Sequence, residues 1–330
     1  MKKILNHLFE NKTFTRQEAQ KILTDIASGA FNNSQIAAFI TAYGMRNITV
    51  EELQGFRDAM LDLCLKVDFS DFELIDLCGT GGDGKDTFNI STLASFIVAG
   101  AGHKVAKHGN YGVSSGCGSS NVMEYLGYQF TNDQSELKRS LDKAGICFIH
   151  APLFHPAMKT VAPIRRELGV KTFFNMLGPM CNPAKPKNQM VGVFSLELAR
   201  IYAYLYQQTD KNYSIVHAVD GFDEVSMTCD FKTFSKKGEA LTKISDLGFT
   251  QIAESEIQGG DTVESSAKIF MDVLEGSATD AQTNVVLCNA AIAIQTIEQG
   301  KTFADCYYEA EESLMSKRAL SSFKNLISGK

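Results

Sequence analysis

The sequence predicts an α/β protein with a small N-terminal helical domain, residues 1–66, and a larger α/β domain, residues 67–330, that has a mainly parallel central sheet. Three observations predict this fold class. A length of 330 residues suits about two domains of ordinary size. The first 66 residues show only helical apolar spacing. From residue 72 onward, short apolar runs typical of strands alternate with glycine loops and helical segments, as in parallel sheets.

The N-terminal helices are predicted from their capping residues. A capping box, in which Thr is followed three residues later by Glu, is expected at Thr15 and at Thr49. Asn33 or Ser34 is expected to cap a further helix over residues 36–43. These features are typical of a small helical bundle.

The elements of the α/β segment follow in order along the chain. Strands are expected at residues 74–78, 103–107, 146–151, 191–194 and 214–219, and helices at residues 91–102, 121–126, 196–208 and 284–295. The pair Gly259-Gly260 lies in a polar stretch, and an acid-rich helical tail follows Phe303. Both are expected to be surface structure.

The composition is that of a globular protein. Hydrophobic residues make up 44% and charged residues 21%, which excludes disordered, collagen-like and low-complexity chains. The net charge of −6 argues against a broad nucleic-acid-binding or membrane-binding surface. The eight cysteines are scattered without a C-x-x-C motif, which argues against a zinc site and against a secreted disulfide framework. We therefore expect a reduced, cytoplasmic protein with no nucleic-acid or membrane partner.

Glycine is concentrated in one region, because 11 of the 26 glycines lie between residues 79 and 127. The first loop there, residues 79–86, matches G-x-G-x-x-G, but residues 99–107 lack the acid that would hold a ribose in a dinucleotide fold. The loop also nearly matches a P-loop, but Asp86 replaces the hydroxyl that should hold Mg²⁺ and would repel phosphates. Both interpretations are therefore rejected.

The glycine loops nevertheless have the features of an anion site. A glycine loop that leads into a helix offers free backbone N–H groups and the positive helix end to an anion. Residues 89–92, Asn-Ile-Ser-Thr, stand where such a helix should begin. A second loop, residues 107–120, repeats the pattern with Lys107 as its one cation. Two such loops suit an extended polyphosphate, although two tight turns that merely require glycine would leave the same pattern.

Eight short motifs occur in the order and spacing of one known family. They are GTGGD (79–83), NIST (89–92), KHGN (107–110), SS-x-x-GS (114–119), HPAMK (155–159), PIRRELG (163–169), FNMLGP (174–179) and DGFDEVS (220–226). Through these motifs the chain resembles the anthranilate phosphoribosyltransferase family over nearly its whole length.

The resemblance implies a helical domain joined to an α/β domain, with the active site in a hinge cleft to which helices near residues 155–180 contribute. It also implies a homodimer formed through the helical domains. The implied reaction transfers the phosphoribosyl group of phosphoribosyl pyrophosphate to the amine of anthranilate, giving N-phosphoribosylanthranilate and pyrophosphate in tryptophan biosynthesis. Mg²⁺ is the implied cofactor.

The same resemblance assigns binding residues by position, and it assigns no catalytic side chain. The residues implied to bind phosphoribosyl pyrophosphate are Gly79, Gly82, Asp83, Thr87, Asn89, Ile90, Ser91, Thr92, Lys107, His108, Gly109, Asn110, Tyr111, Gly112, Val113, Ser114, Ser115 and Ser119. Those implied to bind anthranilate are Gly79, Asn110 and Arg165, and those implied to hold Mg²⁺ are Ser91, Asp223 and Glu224.

These residue types suit the implied chemistry. As pyrophosphate leaves C1 of the ribose, negative charge grows on it, and Mg²⁺, Lys107 and loop N–H groups stabilise that charge. Arg165 can bind a carboxylate bidentately. The aromatic amine of anthranilate is neutral near neutral pH, so positioning is required rather than a strong base. His108 and His155 either contact anthranilate or only line the cleft.

Two residues depart from the family pattern, and two alternative functions stay open. Tyr111 stands where many members have Arg, which removes a cation beside the phosphates, and Asn121 replaces a common Asp. A pyrimidine nucleoside phosphorylase shares the architecture but should not need the Asp223-Glu224 pair. A non-catalytic nucleic-acid-binding relative would need a basic face.

Overall fold

A computed structural model of the chain describes residues 1–112 and 117–329. The helices of the described residues are α1 (Lys2–Phe9), α2 (Arg16–Ala27), α3 (Asn33–Gly44), α4 (Val50–Leu63), α5 (Ile90–Gly100), α6 (Ser119–Tyr125), α7 (Gln134–Ala144), α8 (Ala151–Phe154), α9 (Met158–Leu168), α10 (Phe174–Leu177), α11 (Leu196–Gln207), α12 (Val263–Glu275), α13 (Asp280–Ile297), α14 (Phe303–Met315) and α15 (Arg318–Ser328). The strands are β1 (Leu74–Gly79), β2 (Lys104–Gly109), β3 (Ile146–His150), β4 (Asn188–Gly192), β5 (Asn212–Ala218), β6 (Phe231–Ser235) and β7 (Gly238–Thr242).

The chain divides into two compact units. The helical unit combines Met1–Val67 with Ala151–Lys185, and the α/β unit contains Asp68–His150 and the chain from Pro186 onward. The sequence predicts two consecutive segments that meet at residue 66, so the structure differs at residues 151–185. These residues belong to the helical unit because α9 packs on α2 and α3, and α10 packs on α4.

The N-terminal helices begin at the predicted capping residues, with one exception. Thr15 and Thr49 each form the expected capping box with the Glu three residues later, which confirms both predictions. The N-cap of α3 is Asn32, and the prediction of Asn33 or Ser34 is wrong. Asn32 takes this place because its Oδ1 accepts the backbone N–H of the third helical residue at 2.9 Å.

The α/β unit is built on one seven-stranded sheet in the order β3-β2-β1-β4-β5-β6-β7. The strands from β3 to β5 in this order are parallel, and β6 and β7 add an antiparallel hairpin at one edge. The mainly parallel sheet is confirmed. β4 begins at Asn188, three residues earlier than the predicted strand. Its first two residues are polar, so the apolar pattern did not include them. Asn188 Nδ2 donates to Leu74 O at 3.2 Å, so this amide is satisfied within the sheet.

Two central helices form the core with the sheet. α5 packs on β1 and β2, α13 packs on β4 and β5, and the two helices contact each other. The prediction that the acid-rich tail is surface structure is wrong in part, because α14 of this tail packs along α13. One face of α14 is apolar and buries Cys306, Ala310 and Leu314, while its acidic residues lie on the other faces.

The cysteines form no disulfide bonds. All eight are free thiols, and five of them are buried. Within residues 1–112 and 117–329, no helix combines the length and the apolar character that crossing a membrane requires.

Candidate active site

The strand order reverses between β1 and β4, and a pair of glycines lies at this point. Ligands of open α/β sheets bind at the carboxyl ends of the strands where the order reverses. Gly79 at the end of β1 is in register with Gly192 at the end of β4. A Cβ atom at Gly192 would overlap the backbone carbonyl of Asp223, and one at Gly79 would overlap its carboxylate. The two glycines therefore make the space in which Asp223 lies.

The first glycine loop is fastened to this aspartate. The Thr80 N–H donates to Gly192 O at 2.9 Å, and the Gly81 N–H donates to Asp223 Oδ2 at 2.7 Å. Asp83 lies beside the same carboxylate. Burial, followed by the negative charge of Asp83, raises the pKa of Asp223 to about 7.

Glu224 makes a pair of acidic side chains with Asp223. Burial, followed by the charge of Asp223, raises the pKa of Glu224 well above its usual range. Asn289 of α13 fixes the next residue by both of its backbone groups. Its Nδ2 donates to Val225 O at 2.9 Å, and its Oδ1 accepts the Val225 N–H at 3.1 Å. The acidic pair is therefore held in place by the main chain that follows it.

β1 and β2 separate toward their carboxyl ends, and two side chains of opposite charge fill the gap. The strands pair over two residues, Leu74 and Ile75 of β1. Beyond them, Asp76 Oδ1 accepts the His108 N–H at 3.0 Å. Lys107 is 1% exposed, and its Nζ donates to the β1 carbonyl at residue 77 at 2.6 Å. Burial lowers the pKa of Lys107, although Asp76 favours its charge.

The second glycine loop is closed by Asn121 of α6. Asn121 Oδ1 accepts the N–H of Gly112 at 2.9 Å and that of Gly118 at 3.0 Å. An amide oxygen thus does here what a carboxylate oxygen would do. Asn89 Nδ2 donates to Cys117 O at 3.2 Å, which links the two glycine loops. Three residues predicted to bind phosphate lie outside the described residues: Val113, Ser114 and Ser115.

Three buried polar atoms of this region have no hydrogen-bond partner among residues 1–112 and 117–329: Thr80 Oγ1, Asn89 Oδ1 and Glu224 Oε2. Buried polar groups in folded proteins are almost always paired, so each of these atoms can hydrogen-bond to a bound ligand or to an ordered water. Asn89 is the N-cap of α5, but its side chain makes no capping hydrogen bond. The positive end of α5 is therefore open to an anion.

The helical unit contains a half-buried arginine with an unpaired nitrogen. Arg165 of α9 donates from Nη2 to Asn175 Oδ1 at 3.3 Å, and its guanidinium carbon lies 5.3 Å from the centre of the Phe174 ring. Its Nε is buried without a partner, and burial lowers the pKa of the guanidinium to about 10. The neighbouring Arg166 is exposed. Of the two arginines, only Arg165 offers a buried N–H group that an anion could accept.

Comparisons with known proteins agree with this geometry. The family model described as "Glycosyl transferase family, a/b domain" matches residues 71–320, and "Glycosyl transferase family, helical bundle domain" matches residues 2–64. The anthranilate phosphoribosyltransferase of Christiangramia forsetii is 58% identical over 326 residues, which cover 99% of this chain and 98% of that protein. The chain belongs to the anthranilate phosphoribosyltransferase family.

Solved anthranilate phosphoribosyltransferase structures share the fold. The Saccharomyces cerevisiae enzyme in complex with PRPP and Mg has a TM-score of 0.90 at 26% identity, covering 99% of this chain and 98% of that chain. The same yeast enzyme in complex with 4-fluoroanthranilate has a TM-score of 0.87 at 25% identity, covering 98% and 96%. The predicted fold class, a helical N-terminal domain with a larger α/β domain, is thereby confirmed.

The α/β unit brings together most of the residues that the resemblance to anthranilate phosphoribosyltransferase assigned. The end of β1, the first loop, the start of α5 and the Asp223-Glu224 pair meet at the strand reversal, and the second loop is linked to them through Asn89. Lys107, expected where a strand passes into the second loop, lies within β2, and its ammonium donates to a carbonyl of β1. Arg165 lies in the helical unit.

Three residues that hold the site were missed by the sequence reasoning. Gly192 carries the signal of a glycine inside an apolar run, and Asn289 is an amide inside a strongly apolar helix. Gly259 was expected at the surface and is partly exposed, but its contact with the first glycine loop was not predicted. Its position is close to the backbone of Asp86 and Thr87, a contact across more than 170 residues that leaves no local pattern.

Tyr111, which departs from the anthranilate phosphoribosyltransferase pattern, packs against an aromatic group beside the second loop. Its ring meets His150 edge-on with 5.0 Å between ring centres, and its hydroxyl donates to Glu124 Oε1 at 3.4 Å. His150 in turn stacks on Phe130 at 4.1 Å. Burial lowers the pKa of His150 to about 4, so the ring is neutral near neutral pH. Aromatic packing thus anchors the loop residue that elsewhere would supply a cation.

Proposed function

We propose that this chain transfers the phosphoribosyl group of phosphoribosyl pyrophosphate to the amine of anthranilate, giving N-phosphoribosylanthranilate and pyrophosphate in tryptophan biosynthesis. One observation carries the proposal: two glycine loops, an uncapped helix start and an acidic pair meet at the strand reversal. The name of the Christiangramia forsetii relative and the two yeast complexes support the choice of substrates.

The glycine loops bind the group that carries the developing charge. As the bond from C1 of the ribose to pyrophosphate breaks, backbone N–H groups of the first loop and the first turn of α5 stabilise the departing anion. Gly79 and Gly82 have no side chain, so phosphate can approach the main chain there. Lys107 contributes its positive charge from beneath the first loop, because its Nζ is held at Leu77 O.

We assign Mg²⁺ to Ser91, Asp223 and Glu224, and the residues fit the ion. They offer oxygen donors, which Mg²⁺ prefers together with substrate phosphates. Glu224 Oε2 is buried without a partner. The raised pKa of both carboxyl groups shows that each would gain from a nearby cation. When bound, the ion neutralises charge on the leaving pyrophosphate.

We assign the carboxylate of anthranilate to Arg165, and the resemblance also assigns Asn110 and the backbone of Gly79 to this substrate. Arg165→Ala is expected to raise the KM for anthranilate by about 10- to 100-fold, because a charged hydrogen-bond donor is lost. The KM for phosphoribosyl pyrophosphate should stay within about twofold. Steady-state kinetics with each substrate varied in turn measures both constants.

Arg166→Ala is the matched control, since it removes the adjacent, exposed guanidinium and should leave both constants unchanged. An equal rise of both KM values in Arg165→Ala would contradict the assignment of this residue to anthranilate.

The activity itself is tested by the loss of anthranilate fluorescence. The purified protein should consume anthranilate only when phosphoribosyl pyrophosphate and Mg²⁺ are both present. Phosphorolysis of thymidine without that loss would instead establish the nucleoside phosphorylase alternative. Salt-sensitive DNA binding without transferase activity would establish the nucleic-acid-binding alternative.

We further propose that the protein works in the cytoplasm as a homodimer formed through the helical unit, as the resemblance implies. Phe9 of α1 and Met45 after α3 are exposed apolar side chains of that unit and are available for such a contact. Light scattering after size-exclusion chromatography distinguishes a dimer from a monomer, and a monomer at all concentrations would refute the assembly.

A further inference from the structure

A segment distant in sequence lies along the end of the first glycine loop. Residues 254–259, called the strap below, follow the β6-β7 hairpin and precede α12. The Phe88 N–H donates to Ile257 O at 3.4 Å, and the Gly259 N–H donates to Asp86 O at 2.8 Å. Thr87 and Gln258 form an antiparallel bridge between these two bonds. The strap thus adds a short strand to residues 86–88.

The main chains of the two segments approach each other closely at Gly259. A Cβ atom on Gly259 would lie 3.0 Å from both Asp86 O and Thr87 O, so the main chain of residues 86–87 would have to shift by a few tenths of an ångström. Asp86 has φ +52°, a left-handed conformation that costs energy for any residue with a side chain. The strap therefore holds the loop end in a conformation that it would not favour alone.

Lys85 joins the same contact to the acidic pair. Its Nζ lies 3.2 Å from Glu254 Oε2 in the strap and 4.5 Å from the ring centre of Phe222, the residue before Asp223. Its backbone N–H donates to Asp83 Oδ1 at 3.2 Å. The first glycine loop is thus fastened at both ends, to Asp223 at its start and to the strap at its end.

We propose that the strap is a positioning element for phosphoribosyl pyrophosphate, with Gly259 and Lys85 as its positioning residues. It rests on the proposed function, since it concerns the loop to which that substrate is assigned. A loop that is fastened only part of the time binds its ligand more weakly, because the affinity is proportional to the fraction of time that the loop is in place. Loosening the strap should therefore weaken binding of this substrate and spare anthranilate.

Gly259→Ala tests the proposal, and Gly300→Ala is its matched control because a Cβ there meets nothing within 4 Å. Gly259→Ala is expected to raise the KM for phosphoribosyl pyrophosphate about tenfold, with the KM for anthranilate within about twofold. Gly300→Ala should match the unchanged protein. A Gly259→Ala protein with an unchanged KM for phosphoribosyl pyrophosphate would overturn the proposal.

Hydrogen exchange of the ligand-free protein gives a readout that does not depend on activity. Peptides covering residues 84–89 should exchange about tenfold faster in Gly259→Ala than in Gly300→Ala, because the bonds to the strap open more often. Equal exchange rates of these peptides in the two variants would contradict the proposed role of the strap, even if the unchanged protein is active. If the unchanged protein neither binds nor consumes phosphoribosyl pyrophosphate, the proposed function fails instead.

Lys85 supplies a second test should Gly259→Ala not fold. Lys85→Met removes the ammonium and keeps most of the chain length, and it should raise the same KM by about threefold. Lys85→Arg keeps the cation on the Phe222 ring and should restore the original value. Equal KM values in Lys85→Met and the unchanged protein would remove Lys85 from the proposal.

Discussion

Asp223→Asn combined with Glu224→Gln is expected to lower turnover by about two to three orders of magnitude. The two changes keep the shape of both side chains and remove the charge that would hold Mg²⁺. Glu224 Oε2, now buried without a partner, would become part of a neutral amide. Turnover measured against Mg²⁺ concentration should lose its saturating dependence. Unchanged Mg²⁺ kinetics would mean that the ion is bound elsewhere.

Thermal unfolding gives an independent measure of the same pair. The pKa of Asp223 rises from 3.8 to about 7 on folding, so the folded chain binds more protons than the unfolded chain in this window. Without Mg²⁺ the contribution of the Asp223 carboxyl to stability should therefore be largest below pH 3.8 and be lost as the pH rises to about 7. The double variant cannot titrate at these positions and should lack that loss. Mg²⁺ should raise the Tm of the original protein alone.

The control for this pair is the same chemical change at the surface. Asp142→Asn with Glu197→Gln alters two exposed side chains and should leave turnover, Mg²⁺ dependence and the pH dependence of the Tm unchanged. A loss of turnover in the control would show that net charge, rather than the site, is responsible.

Gly192→Ala is expected to lower turnover by about a hundredfold although it adds a single methyl group. That methyl group would overlap the backbone carbonyl of Asp223, so the main chain at the acidic pair has to move. A displacement of about 1 Å at a reacting group is enough to cost about a hundredfold in rate. We also expect a loss of about 1–3 kcal/mol in the free energy of unfolding, which urea denaturation measures.

Gly44→Ala provides the comparison, because this glycine ends α3 and a Cβ there meets nothing within 4 Å. It should keep full turnover and leave the stability equal or slightly higher. Full turnover in Gly192→Ala would show that the position of Asp223 does not depend on the glycine pair.

The parts of the fold that local chemistry determines were predictable from the sequence. Thr15 and Thr49 begin helices because a hydroxyl and a carboxylate three residues apart satisfy the first N–H groups. The glycine loops followed from the need for backbone to approach an anion. The parts that depend on distant partners were not predictable. Periodicity gives α9 an apolar face but does not say that α2 and α3 cover it. The side-chain amides that begin β4 are typical of loops in sequence, and only their hydrogen bonds to the neighbouring strand explain their burial.

The separation of β1 from β2 has a consequence for how such a protein can vary over evolution. In the gap between β1 and β2, hydrogen bonds of the Asp76 and Lys107 side chains take the place of backbone hydrogen bonds between the strands. The gap is therefore a feature of the sheet and not of its loops. A change in the sequence of the loops then leaves the gap between β1 and β2 in place. Loss of Asp76 would instead remove the negative charge that favours the buried Lys107 ammonium.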